Sequence, residues 1–143
     1  MTTEKKKKEK QIVETGKRKN AIAKATIKEG KGRVKINSEP IDIWGNKFSR
    51  MRVKEPLFLA GDVASKVNIN VRVVGGGTTG QSDAVRMAIA RSLVSFSKDK
   101  KMKEKFIHYD RNMLVFDPRR NEPHHAGGAS KRGSRRHKQR SKR

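Results

Sequence analysis

Residues 66–96 read KVNINVRVVGGGTTGQSDAVRMAIARSLVSF, and this stretch decides the fold. Its opening alternates strictly. Val67, Ile69, Val71 and Val73 fall on one side, and Lys66, Asn68, Asn70 and Arg72 fall on the other. That is the period of a strand with one face on a core and the other toward water or a polar partner. Gly75-Gly76-Gly77 ends the strand, and Thr78 followed by Gln81 matches a capping box opening a helix. Beyond it Ala84, Val85, Ala88, Ile89, Ser92 and Phe96 form a small-and-apolar stripe at helical spacing, which predicts a helix to about Phe96 packed closely on a sheet.

Upstream, Ala21–Ile27 is a small apolar run with Lys24 interleaved, Gly30-Lys31-Gly32 is a turn signal, and Arg33–Ile36 alternates again. Residues 21–36 are therefore expected to form a hairpin. Asn37-Ser38-Glu39-Pro40 marks another turn, before Ile41–Trp44. Pro56 suits the first turn of a short helix through Leu57, Phe58 and Leu59, stopped by Gly61. Downstream, Asp99 opens a charged helix with Met102 and Phe106 inward, and Met113–Phe116 reads as a last short strand. The sum is an α+β architecture: one sheet with helices packed on a single face.

Charge divides the chain into three parts. Over 143 residues there are 37 Lys+Arg against 14 Asp+Glu, a formal net charge of +23, with a sequence pI near 11.0. Residues 1–11 hold five lysines and two glutamates, and 12–122 hold 24 basic and 12 acidic residues. Residues 123–143 hold eight basic residues and no acid. The expected organisation is a lysine-rich segment over 1–11, a globular domain over 12–122 and an extended basic tail over 123–143. Residues 1–11 and 127–143 have too little apolar surface to bury a core and are expected to be disordered in isolation. So large a positive charge calls for a polyanionic partner. No apolar window approaches membrane-spanning length, and no secretory leader is expected at the N-terminus. The absence of cysteine removes disulfides, thiol catalysis and Cys-ligated zinc.

The glycine loop invites two nucleotide-binding readings, and both fail on chemistry. Gly75, Gly80 and Ser82 fit a P-loop, but Gln81 stands where the phosphate-binding lysine is required. Gly75, Gly77 and Gly80 fit a dinucleotide fingerprint, but Asp99, about 20 residues on, lies in a lysine run rather than at the end of a second buried strand. Two readings stay open: a tight turn requiring glycine geometry, and a helix N-terminus accepting an RNA phosphate. No nucleophile elbow or carboxylate pair in an apolar setting indicates catalysis. His124 and His125 are adjacent, so their side chains diverge, and neither a metal nor another cofactor is expected. Trp44, Phe48, Phe58 and Phe96 are assigned to core or edge packing, and Tyr109 to packing at a helix end. Charge alone would also suit a chromatin-type DNA compactor.

The glycine loop with Ala84, Ala88, Ala90-Arg91 and Leu93 resembles the signature of the small-subunit ribosomal protein nine family. Thr15-Gly16-Lys17-Arg18-Lys19 resembles its opening strand, Gly30-Lys31-Gly32 with Val34 and Asn37 its hairpin, and Asp117-Pro118-Arg119-Arg120 with Glu122 its late Asp-x-Arg-x-x-Glu motif. The ending, Gln139 with Ser141-Lys142-Arg143, resembles its closing motif. These features follow the family's order over about residues 14–143, and Pro56-Leu57 with Leu59-Ala60-Gly61 leans toward the archaeal and eukaryotic branch. His124-His125 departs from the lysines of many relatives, which implies weaker phosphate binding at that turn.

The resemblance implies a ribosomal-protein-S5-domain-2-like fold, including an unusual left-handed crossover, and a structural, non-enzymatic role in the small-subunit head on the cytoplasmic ribosome. The implied partners are small-subunit rRNA, P-site tRNA and neighbouring ribosomal proteins, with no membrane and no small-molecule substrate. It implies that Ser141, Lys142 and Arg143 lie nearest the tRNA. It implies rRNA contacts by Lys17, Arg18, Lys19, Arg119, Arg120, Lys131, Arg132, Arg135, Arg136, Lys138 and Arg140. Gly75, Gly76, Gly77, Gly80 and Gln81 are read as a structural loop.

Overall fold

The computed structural model describes residues 11–120. Five strands form one sheet: β1 (Ile12–Arg18), β2 (Ala21–Glu29), β3 (Val34–Ile36), β4 (Glu39–Pro40) and β5 (Val67–Val74), in the spatial order β1-β2-β5-β3-β4. The helices are α1 (Lys47–Ala60), α2 (Asp62–Ser65), α3 (Thr78–Ser97) and α4 (Lys100–Tyr109), followed by a single 3₁₀ turn at Arg111–Met113.

The alternation in β5 has the expected consequence. Val67, Ile69, Val71 and Val73 are buried, and so are Ala21, Ala23, Ala25 and Ile27 opposite them on β2. Helix α3 covers this face across β1, β2 and β5, and α1 packs against α3. Close approach depends on small residues. A side chain at Gly16 of β1 would strike the backbone of Ala84 and Ala88 in α3. Around this small-residue seam, Ile69, Ile89, Leu93 and Phe106 are almost wholly removed from water, each contributing about 1.5–3 kcal/mol.

Several local expectations are corrected. Residues 21–36 do not form a hairpin, because β5 lies between β2 and β3, antiparallel to the first and parallel to the second. The Gly30–Gly32 turn instead wraps the start of β5. The Gly30 and Gly32 N–H groups donate to Lys66 and Val67 carbonyls, and Asn68 Oδ1 accepts from the N–H groups of Lys31 and Arg33. β3 instead forms a hairpin with β4, turning through Asn37 and Ser38, both with positive φ.

Pro56 is inside α1 and does not open it; the helix starts nine residues earlier, where Asn46 Oδ1 accepts the Ser49 N–H at 2.8 Å. No capping box forms at Thr78. Gly77 occupies the N-cap position with extended backbone, and the Gln81 amide reaches back to the Gly75 carbonyl at 3.1 Å. Met113–Phe116 is not a strand: Met113 ends the 3₁₀ turn with its side chain buried, and the chain beyond follows the surface irregularly. Asp99 does cap α4, through the Lys101 N–H, and Met102 and Phe106 are its buried residues.

Candidate nucleic-acid interface

The end of β1 and the C-terminal segment of the described chain meet at one corner. Lys17, Lys19, Asn20, Phe116, Asp117, Arg119 and Arg120 line a cavity of about 230 Å³. Lys17 and Lys19 are a hundred residues from Arg119 and Arg120, so a defined path for residues 114–120 must create this juxtaposition. Three contacts define that path. The Arg91 guanidinium stacks over the Phe116 ring, 4.7 Å from its centroid. Asp117 forms an ion pair with Arg18. The other Asp117 oxygen accepts the Arg119 N–H at 2.9 Å, a local turn that fixes the direction in which the two arginines leave.

Among the basic residues predicted here, Lys19, Arg119 and Arg120 are exposed, and Lys17 is half-buried at the same opening. Arg18 has a different task. Its guanidinium is held between Asp117 and Asp83, the latter at 3.6 Å, so it holds the corner together rather than facing outward. Asp83 is shared with Arg52 at 2.9 Å.

The glycine loop lies beside this corner. Arg18, Lys19 and Asn20 share a second depression, about 370 Å³, with Gly76, Gly77, Thr78, Thr79 and Gly80. Gly75 and Gly76 have φ of +76° and +68°, and a Cβ at Gly75 would come within 2.6 Å of the Asn20 carbonyl. The β1–β2 turn thus presses on the loop, and backbone geometry alone accounts for these two glycines. Gly77 and Gly80 are under no such constraint.

A second ionic cluster braces the helices behind the corner. Arg86, its side chain only 9% exposed, forms an ion pair with Glu55 at 2.5 Å and donates a hydrogen bond to Asp110 at 2.6 Å. Burial alone would raise the Asp110 pKa. The hydrogen bonds from Arg86 and the Asn112 N–H, with the charges of Arg86 and Arg52, outweigh it and hold the carboxyl below its ordinary value. Sequence reading missed this brace, since nothing in the spacing of Glu55, Arg86 and Asp110 brings them together.

The aromatic assignments divide. Trp44 is buried and Phe96 half-buried, whereas Phe48 and Phe58 are 80% and 78% exposed on α1, contrary to the packing role expected of them. With Met51 they form an apolar stripe beside Lys47. Tyr109, at the end of α4, is also exposed rather than packed. No His/Asp/Glu group suited to a metal occurs among the described residues, and no described helix is long and apolar enough to cross a membrane. The tail residues Lys131, Arg132, Arg135, Arg136, Lys138, Arg140, Ser141, Lys142 and Arg143, and the His124-His125 pair, lie outside the described residues.

A small α+β domain with a basic corner, a structural glycine turn and a tightly directed C-terminal exit defines a basic scaffold of the polyanion-binding class. Comparison with known proteins narrows the class. A profile of the family described as ribosomal protein S9/S16 matches residues 16–143. A relative from Methanococcus maripaludis, named small ribosomal subunit protein uS9, is 44% identical over 116 residues, covering 81% of this chain and 87% of that protein. The chain belongs to the ribosomal protein S9 family.

Proposed function

We propose that the basic corner seats the domain on small-subunit rRNA in the head, and that residues 123–143 run on from Arg120 through rRNA to the P-site tRNA. Membership of the family makes the chain a structural, non-enzymatic constituent of the small subunit of the cytoplasmic ribosome, with rRNA and ribosomal proteins as its partners. The finer reading is supported by one observation: Lys17, Lys19, Arg119 and Arg120 line one opening, with the turn that carries the two arginines held by the Arg119 N–H donating to Asp117. Arginine forks bind phosphate oxygens bidentately and lysines as point charges, so this cluster suits a phosphate backbone read without regard to sequence. Along the tail, Lys131, Arg132, Arg135, Arg136, Lys138 and Arg140 serve as further rRNA contacts. Ser141, Lys142 and Arg143 form the tip at the tRNA backbone.

Deletion of Ser141–Arg143 tests the tip. Subunits assembled with the shortened protein are expected to form normally and to hold P-site tRNA more weakly. Unchanged tRNA affinity in those subunits would refute the assignment.

A further inference from the structure

Among the described residues, the side of the sheet that carries no helix presents a patterned set of residues that, apart from Lys17, the proposed corner does not use. Its outward positions are Val13, Thr15 and Lys17 on β1, Ile22, Lys24, Thr26 and Lys28 on β2, Asn68, Asn70, Arg72 and Val74 on β5, and Lys35 on β3. None is acidic. The register places Thr15, Lys24 and Arg72 in one row across three strands, and Thr26, Asn70 and Lys35 in the next. Apolar side chains occur only at the margins, Ile22 and Val74 toward the glycine loop and Val13 on the edge strand.

The Lys24–Arg72 pair is the informative one. The two cations stand directly opposite on adjacent strands, an arrangement that costs stability. Both are exposed, and among the described residues neither they nor Lys35 make an ion pair. A solvated sheet face needs no such juxtaposition, and an acid at either position would remove it. The backbone positions of Lys24, Arg72 and Lys35 are about 5 Å apart across strands and about 7 Å apart between rows, and all three side chains are exposed. The depression beside them is lined by Lys28, Arg33, Lys35, Asn68 and Asn70 among others and measures about 380 Å³. A shallow cationic grid fits an extended polyanion better than one small anion. Interleaved Thr and Asn side chains supply donors and acceptors for phosphate and ribose hydroxyls. The lack of a central apolar anchor disfavours a protein occupant.

We infer that this helix-free face is a second RNA-docking surface, gripping a sugar–phosphate backbone through Lys24, Arg72 and Lys35. The inference rests on the RNA reading above but uses a different surface, so the two can fail separately.

The test uses the full chain with Lys24→Gln, Lys35→Gln and Arg72→Gln combined, beside a corner variant carrying Lys17→Gln, Lys19→Gln, Arg119→Gln and Arg120→Gln. The probe is a 20-base-pair RNA duplex titrated between 50 and 200 mM salt. Loss of three phosphate contacts should flatten the slope of log K against log salt by about two to three and weaken binding roughly tenfold. The sheet variant should also unfold at an equal or higher denaturant concentration than wild type, because a like-charge pair is gone. A merely structural role for these residues predicts the reverse. Wild-type slope and affinity in the sheet variant, with weakened binding in the corner variant, would overturn this inference and leave the corner reading intact. Wild-type binding by both variants would overturn both. Arg72→Gln alone supplies the same readout, with a slope change of about one, should the triple variant not fold.

Discussion

Replacing Arg86 with methionine isolates the brace that holds α1, α3 and the segment after α4 together. The substitution keeps the length and apolar stem of the side chain and removes only the guanidinium, which stands 2.5 Å from Glu55 and 2.6 Å from Asp110. Removing one member of a fully buried ionic group costs about 3–5 kcal/mol, because a buried charge is left without compensation. Here the stranded carboxylates are 31% and 27% exposed, so water recovers part of their solvation. The expected loss is therefore about 2–3 kcal/mol at neutral pH. For a domain of this size that lowers the melting temperature by roughly 10 °C.

The loss should also depend on pH, with a sign that the geometry dictates. The Asp110 carboxyl lies below its ordinary value of 3.8 in the folded protein. Its contribution to stability is fully present above that unfolded value, and it disappears as pH falls through the lower folded value. Urea denaturation of wild type and Arg86→Met from pH 7 down to pH 3 should show midpoints well separated at neutral pH and converging below about pH 4. Equal midpoints at pH 7, or a gap that persists unchanged at pH 3, would refute the ionic account and leave Arg86 as a packing residue.

Two further outcomes follow from local geometry. Gly75→Ala should cost about 1–3 kcal/mol, since φ there is +76° and a Cβ meets the Asn20 carbonyl. Gly77→Ser, on extended backbone with open space at the N-cap of α3, should be neutral or slightly stabilising in the same denaturation assay. On α1, Phe48→Ser and Phe58→Ser should change stability by less than about 0.5 kcal/mol, whereas truncation of the wholly buried Val53 to alanine should cost about 1.5–3 kcal/mol. A large loss in Phe48→Ser would mean that the stripe is covered within the monomer.

What could be read from the sequence was what neighbours in the chain determine. The β5 strand, the glycine turn and α3 are specified within 31 consecutive residues, by period, by breaker residues and by a small-residue stripe. The partner of β2 is a different kind of fact. A Gly-Lys-Gly turn between two alternating runs is equally compatible with direct pairing and with a gap that a third strand fills. The residues that decide, Asn68 and the Lys66 and Val67 carbonyls, lie more than 30 positions away. Pro56 misled for a related reason: a proline that opens a helix and a buried proline within one have the same letter. Asn46, three residues before Ser49, was the overlooked N-terminal signal. At the corner, each basic pair was visible alone. Their meeting depends on the Arg91–Phe116 stack and the Arg18–Asp117 pair, which join residues 25 and 99 positions apart.

The arrangement of acids explains how a chain this basic can fold and still present cationic surface. Glu14 pairs with Arg91, Glu55 and Asp110 with Arg86, Asp83 with Arg18 and Arg52, and Asp117 with Arg18. All of these pairs lie on the helix-bearing side of the sheet or at its margin, where separate elements must be drawn together. Positive charge is thus neutralised where it would oppose packing and left in excess where packing is complete, on the open sheet and at the corner. Arginine, and not lysine, takes most of the internal positions because one planar fork can engage two carboxylates at once, as Arg18 and Arg86 do. Self-repulsion in the isolated protein is therefore concentrated on the surfaces assigned to RNA. A phosphate backbone docked on those surfaces, as proposed, would screen it there without disturbing the ion pairs that hold the helices.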